Sequence, residues 1–174
     1  MQSGCTETLK RMNRKYAAKQ YLETLDRIRL AMSDSSITTD VMVGFPQETD
    51  EEFEESYNTV KKAQFADIHV FPYSRRNGTP AATMQGQIDE KVKSKRSHKM
   101  IELGHILKKD FCEKYIDREL EVLFEQSVKD NIFEGLTKNY IRVFAMGENL
   151  AGEYKTVKLT KFCGDYCEGE IVGE

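Results

Sequence analysis

Apolar positions follow two different rhythms along this chain, and the rhythm changes near residue 117. In the first part Tyr21, Leu22, Leu25, Ile28 and Met32 stand three or four apart, which lines one face of a helix. Lys19, Glu23, Asp26, Arg27 and Arg29 cover much of the rest, and Ser33-Asp34-Ser35-Ser36 ends the pattern as a turn. The run Ile37 to Phe45 (ITTDVMVGF) is β-branched and apolar without strict alternation, which predicts a buried strand of the parallel kind, closed by Gly44 and Pro46. Thr49-Asp50-Glu51-Glu52 forms a capping box, opening a helix whose buried stripe is Phe53, Tyr57 and Val60 and which ends near Lys62. Ala66 to Ser74 (ADIHVFPYS) predicts a second strand whose ladder ends about Pro72, a residue with no amide proton to donate. Helix, strand, helix and strand with short connections indicate βα units around a parallel sheet. The Asn-Gly and Thr-Pro steps make Arg75 to Gln87 a loop, and a long helix from Asp89 carries Val92, Met100, Leu103, Leu107, Phe111 and Tyr115.

After Asp117 the period falls from 3.6 to 2. Leu120, Val122 and Phe124 alternate with Glu119, Glu121 and Glu125. Further short strands are expected at Asn139 to Met146, Tyr154 to Thr160 and near Glu170 to Val172, with Gly135, Gly147 and Gly152 in turns. Several short alternating strands in so few residues read as a small closed or nearly closed β-barrel. The expected organisation is therefore an α/β domain with its connecting helix over residues 1–117, then an all-β domain over residues 118–174.

Composition narrows the class. The chain has 174 residues, 39% hydrophobic and 32% charged, enough apolar content for a core and too little Pro and Gly for a low-complexity chain. The longest apolar runs are far short of the ~20 residues that cross a bilayer. The first sixteen residues hold no apolar segment of a secretory signal. Cys5, Cys112, Cys163 and Cys167 are spread through a chain too large to need disulfide staples, which favours reduced thiols in a cytoplasm. The net charge of −3 argues against a purely electrostatic nucleic-acid binder, but the charge is uneven. Arg75 to Asp117 holds ten Lys and Arg against six Asp and Glu, whereas Arg118 to Glu174 holds seven against eleven.

No complete catalytic constellation is visible. His98 and His105 lie seven apart on the predicted helix, without the i, i+4 spacing and acidic partner of a zinc helix, and so read as surface or packing residues. Cys163 and Cys167 form half a metal site with no second pair nearby. The informative segments end strands: Gln2-Ser3-Gly4, Val43-Gly44-Phe45-Pro46-Gln47-Glu48-Thr49 and Val70-Phe71-Pro72-Tyr73-Ser74-Arg75. Ligands of βα barrels gather at the carboxyl ends of the strands. There Gly44 lets a ligand approach the backbone, Phe45 offers a flat wall for a base, and the helix opened by Thr49 turns its positive end to the same rim. The competing reading makes these ordinary βα turns.

Four stretches, QSGCTETLKRMNRKY, ITTDVMVGFPQETDEEFEE, HVFPYSRRNGTPAATM and GLTKNYIRV, fall in the order and at about the spacings of the C-terminal half of a radical S-adenosylmethionine methylthiotransferase, and the chain resembles that family over nearly its whole length. HVFPYS and TKNYI resemble most the branch that modifies N6-threonylcarbamoyladenosine in tRNA. The resemblance implies the C-terminal portion of a partial (β/α)6 barrel followed by a five-stranded, OB-like TRAM barrel. It implies S-adenosylmethionine and [4Fe–4S] clusters as cofactors, and addition of a methylthio group to C2 of the modified adenine at position 37. The partner it implies is the tRNA anticodon stem-loop.

By the same resemblance Gln2 and Ser3 contact the ribose of the cofactor, Arg14 its carboxylate, and Val43, Gly44, Phe45 and Phe71 its adenine. Arg75 and Arg76 face the RNA from the barrel rim. In the second domain, if Ile141, Val143 and Ala145 point inward, Tyr140, Arg142 and Phe144 form an outward row for unpaired bases, with Lys138, Lys155, Lys158 and Lys161 toward phosphates. The family's CxxxCxxC cluster motif has no counterpart among these cysteines, so this chain is expected to be a portion that is inactive by itself. The alternatives are the isopentenyladenosine branch, the ribosomal-protein branch, and a non-catalytic RNA-binding module. An uncovered edge of the parallel sheet would favour self-association.

Overall fold

The structure, a computed structural model, describes residues 1–173. The chain divides into two compact units, Met1–Leu107 and Lys108–Glu174. No helix among the described residues is long and apolar enough to cross a membrane.

In the first unit α1 (Thr6–Arg11) and α2 (Ala18–Ala31) precede β1 (Thr38–Val43). Then come α3 (Asp50–Ala63), β2 (Asp67–Pro72), the short α4 (Pro80–Thr83) and the start of α5 (Glu90–Glu113). β1 and β2 pair in parallel from Thr38 beside Asp67 to Val43 beside Pro72. The Met42 amide donates to the Gln2 carbonyl at 2.9 Å, so the segment before α1 flanks β1 on its other side. Thr49 caps α3 as its sequence requires: its hydroxyl accepts from the Glu52 amide and the Glu52 carboxylate accepts from the Thr49 amide. Val41, Val43, Phe53, Val60, Phe65, Ile68, Met100 and Leu103 form the core between the sheet and its helices. The parallel pairing is what the sequence pattern led us to expect, but β1 is not buried throughout: its burial alternates, with Val41 and Val43 inside, Asp40 exposed and Met42 half-buried.

Two apolar assignments change. Met32 ends α2 and is exposed, leaving Leu25 as the buried centre of that helix, with Tyr21 and Leu22 packed beside the core. On α5 Val92 is exposed too, and the buried face runs instead through Lys93, Arg96, Ser97, Met100, Leu103 and Leu107. Met100, Leu103 and Leu107 keep the expected buried face, and two cations, Lys93 and Arg96, extend it toward the helix start.

The second unit holds β3 (Glu119–Lys129), β4 (Ile132–Thr137), β5 (Arg142–Met146), β6 (Tyr154–Phe162) and β7 (Cys167–Ile171). They close into a barrel in the order β3-β4-β5-β7-β6, with β5 and β7 parallel and the other pairs antiparallel. Val122, Phe124, Phe133, Val143, Val157 and Leu159 fill it. Gly135, expected in a turn, lies within β4, a strand that the alternation did not reveal. A Cβ there would stand 2.7 Å from Val122 Cγ1 and overlap the Leu123 carbonyl oxygen, so only glycine lets β3 and β4 approach. The strand expected from Asn139 begins at Arg142, because Tyr140 takes a left-handed φ of 62° in the turn before it.

Candidate functional site

Two left-handed backbone positions, Gly44 and Gln47, shape the rim at the carboxyl end of β1. Gly44 leaves β1 with φ 70°, and Gln47 follows with φ 66°, its amide donating to the Gly86 carbonyl at 2.7 Å. This folds Glu48 back beneath the strand end, where it is buried and accepts from the Gly44 amide at 2.7 Å. Arg96 donates to the same carboxylate at 2.8 Å, to the Glu48 carbonyl at 3.0 Å and to Asp50 at 2.8 Å. Burial pushes the Glu48 carboxyl above its ordinary range, while the Gly44 amide and the Arg96 guanidinium pull it back. Asp50, in water, is held below the usual range by its hydrogen bond from Arg96.

Lys93 completes the rim. Its ammonium donates to the Tyr73 carbonyl at 3.1 Å and pairs with Glu90 at 2.6 Å. Its stem crosses Gly44 so closely that a Cβ there would overlap Lys93 Cγ. The glycine expected to admit a ligand to the backbone therefore admits a lysine stem. Phe45 is buried and meets Tyr73 edge to face at 5.3 Å. The Tyr73 hydroxyl is buried without a hydrogen-bond partner. The positive end of α3, expected to face a ligand, already meets Asp50, Glu51 and Glu52 in its first turn.

The other residues assigned to the cofactor fall in different places. Ser3 is fully buried, its hydroxyl 3.4 Å from that of Ser56 and accepting from the Cys5 amide. Gln2 is half-buried beside β1, and Arg14 is exposed just beyond α1. Val43 lies in the helix-facing core with Val41, because strand alternation turns it away from the face that carries Met42. Phe71 is half-buried on that other face. Val43 and Phe71 are thus not brought together. Arg75 donates to the Ala82 carbonyl at 2.7 Å, which ties it to α4, while Arg76 is exposed.

On the barrel, Ile141, Val143 and Ala145 are buried and Tyr140, Arg142 and Phe144 point outward, as expected from period two. The row is not free, however. Arg142 pairs with Glu134 at 2.6 Å and Asp165 at 3.2 Å, and lies over the Phe144 ring at 5.2 Å. Phe144 stacks on Tyr166, 4.2 Å between centroids. Asp165 also pairs with Lys108 at 2.6 Å and is held below the ordinary carboxylate range chiefly by that bond. Lys138 pairs with Glu121 at 3.0 Å and Lys158 with Asp117 at 3.4 Å, while Lys155 is half-buried. Beside the stacked rings lies a groove of about 560 Å³ lined by Phe144, Met146, Tyr166, Glu168 and Ile171 among others. Tyr166 and Asp165 escaped the sequence reading. A tyrosine in a Gly-Asp-Tyr turn gives no periodic signal, although its ring completes the only stacked aromatic pair among the described residues.

The thiols do not suit an iron–sulfur cluster. Cys5 is buried in the first unit, and Cys112 and Cys167 are buried in the barrel core, hydrogen-bonded to one another. Among the described residues no group of three or more His, Cys, Asp or Glu is placed to hold a metal ion.

Parallel βα units, strand-end turns and a following five-stranded barrel define a class, and comparison with known proteins supplies it. The Radical SAM superfamily profile matches residues 1–60, and over nearly its whole length the chain is similar to tRNA methylthiotransferases. It is 42% identical over 177 aligned residues to threonylcarbamoyladenosine tRNA methylthiotransferase MtaB of Bacillus subtilis strain 168, a match covering 99% of this chain and 39% of that protein. The tRNA-2-methylthio-N(6)-dimethylallyladenosine synthases of Lachnoclostridium phytofermentans and Desulforamulus reducens are each 38% identical, over 99% and 98% of this chain and 38% of each relative. The chain spans about two-fifths of the length of these curated relatives.

Proposed function

We propose that this chain is part of a cytoplasmic tRNA-modifying enzyme that adds a methylthio group to C2 of N6-threonylcarbamoyladenosine at position 37, next to the anticodon. The observation that carries this reading is the 42% identity to MtaB along essentially the whole chain. The dimethylallyladenosine synthases, at 38%, are the second reading. In the proposed enzyme the first unit supplies one side of the S-adenosylmethionine cradle through Gln2, Gly44, Phe45 and Phe71, with Arg14 toward the carboxylate. Cys5, Cys112 and Cys167 are buried and Cys163 is partly exposed, and none of the four is assigned to the [4Fe–4S] cluster in this proposal.

The barrel, in this proposal a TRAM domain, contacts the anticodon stem-loop through Tyr140 and through Phe144, whose stack with Tyr166 offers a flat ring surface to a base. Lys138, Lys155, Lys158, Arg75 and Arg76 serve phosphates. Arg142 orients Phe144 and carries a charge already shared with two carboxylates, so its share of phosphate binding is small. The test is to express the full-length protein in cells lacking this modification and to analyse tRNA nucleosides by mass spectrometry. The expected product is 2-methylthio-N6-threonylcarbamoyladenosine. Appearance of the methylthio dimethylallyl nucleoside instead would establish the second reading, and appearance of neither would remove both.

A further inference from the structure

Among the described residues, one face of the β1–β2 sheet is filled and the other is only partly covered. Val41, Val43 and Ile68 are buried against the helices, whereas Asp40 and His69 are exposed and Met42 and Phe71 half-buried. Parallel register sets Asp40 beside His69 and Met42 beside Phe71. Side chains alternate along a strand, so these four share the face opposite the helices. The His69 and Phe71 rings meet edge to face, 5.8 Å apart, as that shared side requires. The patch has an apolar floor, one carboxylate and one imidazole. Of the four side chains, only the imidazole can donate a hydrogen bond to an anion.

This matters for the substrate proposed above, on which the inference rests. A threonylcarbamoyl group ends in an amino-acid carboxylate, whereas a dimethylallyl group ends in methyls. A site that hydrogen-bonds a polar substituent discriminates strongly against a substrate lacking it, because the site's own polar group is then left unpaired. We infer that His69 selects the threonylcarbamoyl substrate, its imidazole donating to the carboxylate of that group while Met42 packs against the apolar part of the nucleoside. Asp40, the ladder partner of His69, orients the ring.

The test uses the full-length protein and two forms of one tRNA, with N6-threonylcarbamoyladenosine or unmodified adenosine at position 37. Wild type is expected to bind the modified form at least about tenfold more tightly, the scale of one hydrogen bond to a charged group. His69→Ala is expected to bring that ratio close to one, leaving affinity for the unmodified form unchanged. His69→Gln, which keeps an N–H donor, should recover much of the preference. His69→Leu should not, and comparing these two decides the matter if the alanine variant folds poorly. An unchanged ratio in His69→Ala, with wild type still forming methylthio product on the modified tRNA, would overturn the role of His69 and leave the proposed function standing. Failure of wild type to form that product would remove the function and the inference together.

Discussion

Gly44 answers two demands at once. Its φ of 70° lies where an L side chain is strained, and the space its Cβ would fill belongs to the Lys93 stem. Gly44→Ala is therefore expected to destabilise the first unit by about 1–2 kcal/mol from the backbone alone, and by more once Lys93 is displaced. Urea unfolding of Gly44→Ala, and of the same change combined with Lys93→Ala, separates the two costs. The double variant should recover only the steric share. Loss confined to the backbone share in the single variant would mean that Lys93 moves aside freely. The sequence made Gly44 conspicuous but not its occupant. Lys93 and Arg96 look like solvated helix charges until Glu48, four residues past Gly44, is seen folded beneath the strand end to receive Arg96. Nothing in their spacing separates a buried cation with a buried partner from one in water.

Helix α1 is strapped to α3 by one ion pair, the Arg11 guanidinium gripping both oxygens of Glu52, with Nη1 at 2.9 Å from Oε1. Glu52 has a second role, as acceptor in the cap of its own helix. The hydrogen bond from Arg11 holds its carboxyl below the ordinary range despite partial burial. A carboxyl lowered on folding adds stability that is fully present above its unfolded pKa and is lost as pH falls through the folded value. Glu52→Gln keeps a cap acceptor and removes the charge. It should cost about 1–2 kcal/mol at pH 7, and the difference from wild type should shrink steadily below about pH 4. Denaturant midpoints over pH 3–7 would show this, and a cost independent of pH would assign the loss to the cap. The cap itself was legible, since Thr49-Asp50-Glu51-Glu52 names it in four letters, but its partner forty-one residues earlier was not. Legibility failed differently at β4. Ile132-Phe133-Glu134-Gly135-Leu136-Thr137 interrupts its apolar face at Gly135, and a glycine demanded by a neighbouring strand reads as a turn when that neighbour is unseen.

The two units bury two separate cores, one around Val41 and Met100 and the other around Val122 and Val143. Val143→Ala, at a fully buried barrel position, should lower barrel stability by about 2 kcal/mol. Calorimetry should then show one of two transitions moving while the other stays. A single transition shifting as a whole would mean that α5, which runs from one unit into the other, couples their unfolding. The change of rhythm near Asp117 announced both units and the closed barrel, because period is a local property. The strand order inside the barrel is not, and it carries a consequence of its own. β7 is the last barrel strand in the chain, yet it sits between β5 and β6, which have no ladder with each other. During synthesis, everything before Cys167 can therefore assemble only as an open ribbon, β5-β4-β3-β6, with two bare margins. The final five-residue strand turns that ribbon into a cylinder and covers both margins at once. A nascent chain stalled short of Cys167 would leave the ribosome as an adhesive sheet, and quality control would have to intercept it.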